Sequence, residues 1–91
     1  MPTEKEIAIN KARPISLARG LNIAQFDLVI LLFEGKKTKE IAPIWGKNHT
    51  SVTIRDEIGK IYDELNKTKS KDEFKIDSHT RLFITLGLIP S

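Results

Sequence analysis

Apolar and polar residues fall into a helical rhythm from residue 21 onward. Phe26, Val29, Ile30 and Phe33 recur at i, i+3, i+4 and i+7, with Leu28 and Leu32 beside them, the spacing of a helix with a broad apolar face. Asn22 followed by Gln25 supplies a cap and its reciprocal partner, and Gly35 stands where a left-handed terminating residue belongs, so a helix is predicted over 22–34. A second, short helix is predicted over 38–45, capped by Thr38, with Ile41, Ala42, Ile44 and Trp45 on its apolar side. Pro43 is tolerable there because scarcely one turn precedes it, and Gly46 ends the element. Gly46-Lys47-Asn48-His49 forms a tight turn, with Asn48 or Thr50 as the next cap. The third helix, 49–66, carries Ile54, Ile58, Ile61 and Leu65 within about 60° of one another on a helical wheel. Tyr62 lies at the edge of that stripe, and Val52, Thr53, Asp56, Lys60 and Asp63 lie opposite.

The two ends are less regular. In residues 1–20, Ile7 and Ile9 alternate, as do Ile15 and Leu17, but neither run is sustained, and Pro2, Pro14 and Gly20 interrupt them. This segment reads as an arm, with any short helical turn stopping at Arg13 because the following proline disfavours helical geometry. Residues 66–76 form a polar link, long for a small bundle, that Phe74 and Ile76 are expected to pin to the core. Asp77 or Ser78 then caps a last helix, Thr80 to Leu86, closed by Gly87. The expected fold is all-α: a small four-helix helix-turn-helix domain over 21–91 behind an N-terminal arm over 1–20.

Charge sharpens the picture only when resolved along the chain. The net charge is +3, and residues 35–54 alone carry that surplus, with Lys36, Lys37, Lys39 and Lys47 against Glu40. Basic residues clustered on turns suit a surface that follows phosphates. A short helix and a longer one joined by a 3–4 residue turn containing Gly is the helix-turn-helix signature, in which the second helix enters the major groove by its N-terminal half. Here that half reads His49, Thr50, Ser51, Val52, Thr53, Arg55, Asp56. Hydroxyls and histidine can reach phosphates or base edges, Val52 a thymine methyl, and Arg55 a guanine. The expected DNA-contacting set is therefore Lys36, Lys37, Thr38, Lys39, Lys47, Asn48, His49, Thr50, Ser51, Thr53 and Arg55.

The residues of this region resemble the LuxR-type (GerE-like) helix-turn-helix domains of bacterial transcription regulators. Leu21-Asn22 opens the first helix as in that family, and Leu31-Leu32-Phe33-Glu34-Gly35-Lys36-Lys37-Thr38-Lys39-Glu40-Ile41-Ala42 is similar to its L-L-x-x-G-x-(S/T)-x-K-E-I-A stretch. Trp45-Gly46 takes the place of an aliphatic-Gly pair, and Ser78-His79-Thr80-Arg81-Leu82 through Leu86-Gly87-Leu88-Ile89 is similar to the family's closing helix. The likeness spans residues 21–89. The wheel implies an insertion in the recognition helix relative to the family, and the link before the last helix is longer than its norm. The resemblance implies sequence-specific binding of double-stranded DNA by a small transcription regulator, with dimerisation through the last helix. Leu82, Phe83, Ile84 and Leu86 are independently too spread round a wheel for one core-facing stripe. Either Leu82, Phe83 and Leu86 pair with a twin, giving a homodimer, or the 66–76 link folds over them.

Other chemistry is scarce. There are no cysteines, and the two histidines, His49 and His79, stand far apart, so neither disulfides nor a Cys/His metal site is expected. The five glycines stand singly, which leaves no phosphate-cradling loop, and Thr50-Ser51 beside His49 lacks an orienting carboxylate. Neither enzyme activity nor a cofactor is expected. The longest apolar run, Leu28 to Phe33, is far short of the ~20 residues of a membrane helix, and the acidic start is unlike a signal peptide, so a cytoplasmic chain without membrane contact is expected. Trp45 reads as a core anchor, Tyr62 as a half-buried edge residue and His79 as a first-turn surface residue. The alternative function is a module that binds RNA polymerase or another regulator, supported by Asp56, Glu57, Asp63 and Glu64 on the long helix.

Overall fold

The computed structural model describes residues 2–45 and 50–90. It is all-α: among the described residues there are five helices and no strand. They are α1 (Glu4–Ala18), α2 (Ile23–Phe33), α3 (Thr38–Trp45), α4 (Ser51–Lys67) and α5 (His79–Leu86). Helix α2 is central and touches all four others. Its Phe26, Leu28, Val29 and Leu32 are buried, which explains an apolar arc wider than a single stripe. The cap is as expected: Asn22 Oδ1 accepts from the Gln25 N–H (2.7 Å) while Gln25 Oε1 accepts from the Asn22 N–H (3.0 Å). At the other end Gly35 has φ +86°, and the Lys36 N–H bonds back to the Leu31 carbonyl (3.2 Å), closing the orphan carbonyls of the last turn.

The first twenty residues correct the expectation of an arm. Helix α1 runs through Pro14 and does not stop at Arg13. Thr3 Oγ1 accepts from the Glu6 N–H (3.1 Å), so the helix is capped one residue before it starts. Pro14 withdraws the donor that the Asn10 carbonyl would use, but both residues lie on the exposed side, where water can take its place. The opposite side buries Ala12 and Ser16 completely, and the Ser16 hydroxyl donates to the Ala12 carbonyl (2.8 Å). Small residues let α1 lie close against α2, and that burial outweighs the cost of an exposed proline.

Arg19 fixes the end of α1. Its guanidinium donates to the Leu65 carbonyl (2.8 Å), to Thr68 Oγ1 (3.0 Å) and to Glu73 (3.1 Å), joining α1, the end of α4 and the following link. Gly20 follows with φ +96°, and a Cβ there would meet Glu64 Oε1, so the turn into α2 needs glycine.

In α4 the buried residues are Ile54, Ile58, Ile61 and Leu65, the stripe the wheel predicts. The link after α4 departs from expectation at one of its two apolar residues. Ile76 is buried, and the Asn66 side chain both accepts from its N–H (2.7 Å) and donates to its carbonyl (3.0 Å). Phe74 is 72% exposed, with the Arg81 guanidinium over its ring at 4.7 Å.

Helix α5 also corrects an expectation. Leu82 and Leu86 are fully buried within the monomer, and Phe83 packs edge-on to Phe33 with centroids 5.3 Å apart, so Leu82, Phe83 and Leu86 do not form a pairing face. Their spread round the wheel is satisfied because α5 lies against α1 on one side and α2 on the other. Ser78, not Asp77, caps α5, accepting from the Arg81 N–H (3.2 Å).

Candidate nucleic-acid interface

The candidate interface is built on α3 and α4, which pack on each other through Ile41 and Ala42 of α3 and the buried stripe of α4. Thr38 is the first helical residue and not the cap. The Lys37 carbonyl accepts from the Ile41 N–H (3.0 Å), and Glu40 Oε1 accepts from the Lys37 N–H (3.2 Å), so the glutamate closes the start of the helix. At the far end Trp45 Nε1 donates to the Ala24 carbonyl (2.7 Å), tying α3 to the first turn of α2; the residue is a core anchor.

Thr50 is the cap of α4. Its Oγ1 accepts from the Thr53 N–H (3.3 Å) and lies 3.2 Å from Thr53 Oγ1. These two hydroxyls hold each other, leaving less of their hydrogen-bonding capacity for an outside partner than a free threonine has. Ser51 is half-buried, whereas Val52 is 64% exposed and Arg55 is exposed beside it. An apolar side chain standing out from the first turn of a helix, with a guanidinium one turn later, has no role in this core. Lys36 is half-buried, and Lys37 and Lys39 are exposed. None of Lys36, Lys37, Lys39 and Arg55 forms an ion pair with a described carboxylate, in contrast to Lys5, Arg19 and Lys60. Lys47, Asn48 and His49 lie outside the described residues.

Two acids of α4 beside this surface, Glu57 and Asp56, are placed differently. Glu57 is half-buried and turned toward α2, accepting from Gln25 Nε2 (3.2 Å) with Lys60 at 3.7 Å. Asp56 is exposed on the outer stripe with Val52 and Asp63. The double use of Gln25, in its own cap and in holding Glu57, was hidden in the sequence. A cap signature says nothing about where the other amide atom reaches.

Farther along α4, Tyr62 is half-buried, with the His79 ring edge-on at 6.3 Å. Burial first, and the Asp77 carboxylate second, push its phenol above the ordinary tyrosine value. Among the described residues no group of three or more acids or histidines is placed to hold a metal ion, and no helix is long and apolar enough to cross a membrane. No protein-family model, curated protein or solved structure matches the chain.

Proposed function

We propose that this chain binds double-stranded DNA as a small transcription regulator, reading sequence with the first turns of α4. The observation that carries this reading is the surface around that helix start: exposed Val52 and Arg55, with Lys37 and Lys39 at the start of the helix packed against it, and none of the three cationic side chains in an ion pair with a described carboxylate. Lysine and arginine contacts to phosphates supply most of the affinity and position α4, while Arg55 and Val52 meet base edges. Asp56, next to them, can accept from a cytosine amino group and so adds discrimination at little cost in position. The resemblance to LuxR-type domains over residues 21–89 points the same way.

A second reading rests on the acids of α4. Asp56 and Asp63 are exposed on its outer stripe, a surface that fits a basic protein partner such as RNA polymerase or another regulator. Selection of bound duplexes from a random pool separates the two. DNA reading predicts enrichment of a common sequence that Arg55→Ala relaxes at one position. Recovery of an unenriched pool contradicts it.

A further inference from the structure

We propose that a second copy of this chain docks on the groove between α1 and the segment after α5, with the two α1 helices antiparallel across a twofold axis. The groove has a volume of about 450 Å³ and is lined by Ile7 and Ala8 of α1 and by Ile84, Leu88, Ile89 and Pro90. On α1, Glu4, Ile7, Ala8 and Lys11 stand at i, i+3, i+4 and i+7, one stripe of which Ile7, Ala8 and Lys11 line the groove. Ile7 is 42% exposed there, and Ile15, one turn beyond Lys11, is 40% exposed. Apolar side chains bordered by charge in this way mark a contact surface.

The charges identify the occupant. Glu4 and Lys11 end the stripe with opposite signs, and neither forms an ion pair with a described residue, whereas neighbouring Lys5 is held by Glu34 at 3.4 Å. A twofold interface brings the same patch together with itself, so it must be self-complementary. Antiparallel α1 helices centred between Ile7 and Ala8 satisfy that requirement: Glu4 of each copy meets Lys11 of the other, twice. Ile7 of each copy then sits over the small Ala8 of its partner and enters the partner's groove beside Ile84 and Leu88. With Leu82 and Leu86 buried, this face takes the place of α5 as the route to a dimer. The proposal does not depend on DNA binding.

Charge reversal tests it in sedimentation velocity on the full chain over a dilution series. The parent chain is expected to show a monomer–dimer equilibrium. Glu4→Lys alone sets Lys against Lys11 and Lys11→Glu alone sets Glu against Glu4, so each single variant should dimerise at least about tenfold more weakly. An equimolar mixture of the two variants has both pairs complementary again and should form a one-to-one heterodimer. Ala8→Arg keeps both charges and the helix cap, blocks close approach, and should be monomeric with an unchanged circular-dichroism melt. A parent that is monomeric at every concentration, single variants or Ala8→Arg that dimerise like the parent, or a mixture that stays monomeric overturns the proposal.

Discussion

Arg19→Ala should be among the most destabilising substitutions outside the apolar core. The guanidinium, with its side chain only 17% exposed, makes three contacts: the Leu65 carbonyl at 2.8 Å, Thr68 Oγ1 at 3.0 Å and Glu73 at 3.1 Å. A charge-assisted bond to a part-buried carbonyl contributes about 1.5–3 kcal/mol, and a bond to a hydroxyl about 0.5–1.5 kcal/mol. The ion pair adds only about 0–1 kcal/mol, since Glu73 is well exposed and screened. Arg19→Ala is therefore expected to lose about 3 kcal/mol, which for a domain of this size lowers Tm by roughly 12–24 °C. Glu73→Ala should lose no more than about 1 kcal/mol. Arg19→Lys should fall between, because an ammonium cannot span three acceptors in a fork. Thermal melts by circular dichroism, at low and high salt, read all three. An Arg19→Ala loss below about 0.5 kcal/mol, or one equal to Glu73→Ala and abolished by salt, would refute the view that Arg19 locks α1 to the end of α4.

At the proposed interface, Lys37→Ala should weaken binding alike for all duplexes and reduce the salt slope by about 1, whereas Arg55→Ala should also relax preference at a base position, both read by fluorescence anisotropy. Asn66→Ala removes both bonds to the Ile76 backbone and strands a part-buried N–H, so urea denaturation should show a loss of about 2 kcal/mol. The Tyr62 phenol is held above its ordinary value in the folded chain. Its contribution to stability is thus complete below the unfolded value of about 10 and is lost as pH rises through the folded value. Ultraviolet titration should show that Asp77→Asn lowers the Tyr62 midpoint only in part, because burial is the larger cause; a full return to the ordinary value contradicts this.

Most of the helical architecture from residue 21 onward was legible because its signals are local. The Asn22–Gln25 cap, the glycine after α2 and the Ile54-Ile58-Ile61-Leu65 stripe each depend on residues within a few turns. What stayed hidden depends on contacts distant in sequence. Pro14 argued for a stop at Arg13, and only the burial of Ala12 and Ser16 against α2 explains why the helix continues. Arg19 looked like one more basic residue, since its partners lie 46 to 54 positions away. The apolar residues of α5 looked like surplus until α1, itself unforeseen as a helix, supplied a second wall. At the candidate interface, the exposure of Val52 and Asp56 followed from the wheel, but the mutual hold of Thr50 and Thr53 and the turning of Glu57 toward Gln25 did not.

The central claim, that α3 and α4 present a DNA-reading surface, is tested most directly by anisotropy titration of a labelled duplex with the full chain over a salt series. Each phosphate neutralised contributes about −0.9 to the slope of log K against log salt. The account predicts a steep negative slope for every duplex, with a selected sequence bound more tightly than a scrambled one at each salt concentration. No binding at low salt, or binding to all duplexes with a slope near zero, contradicts it.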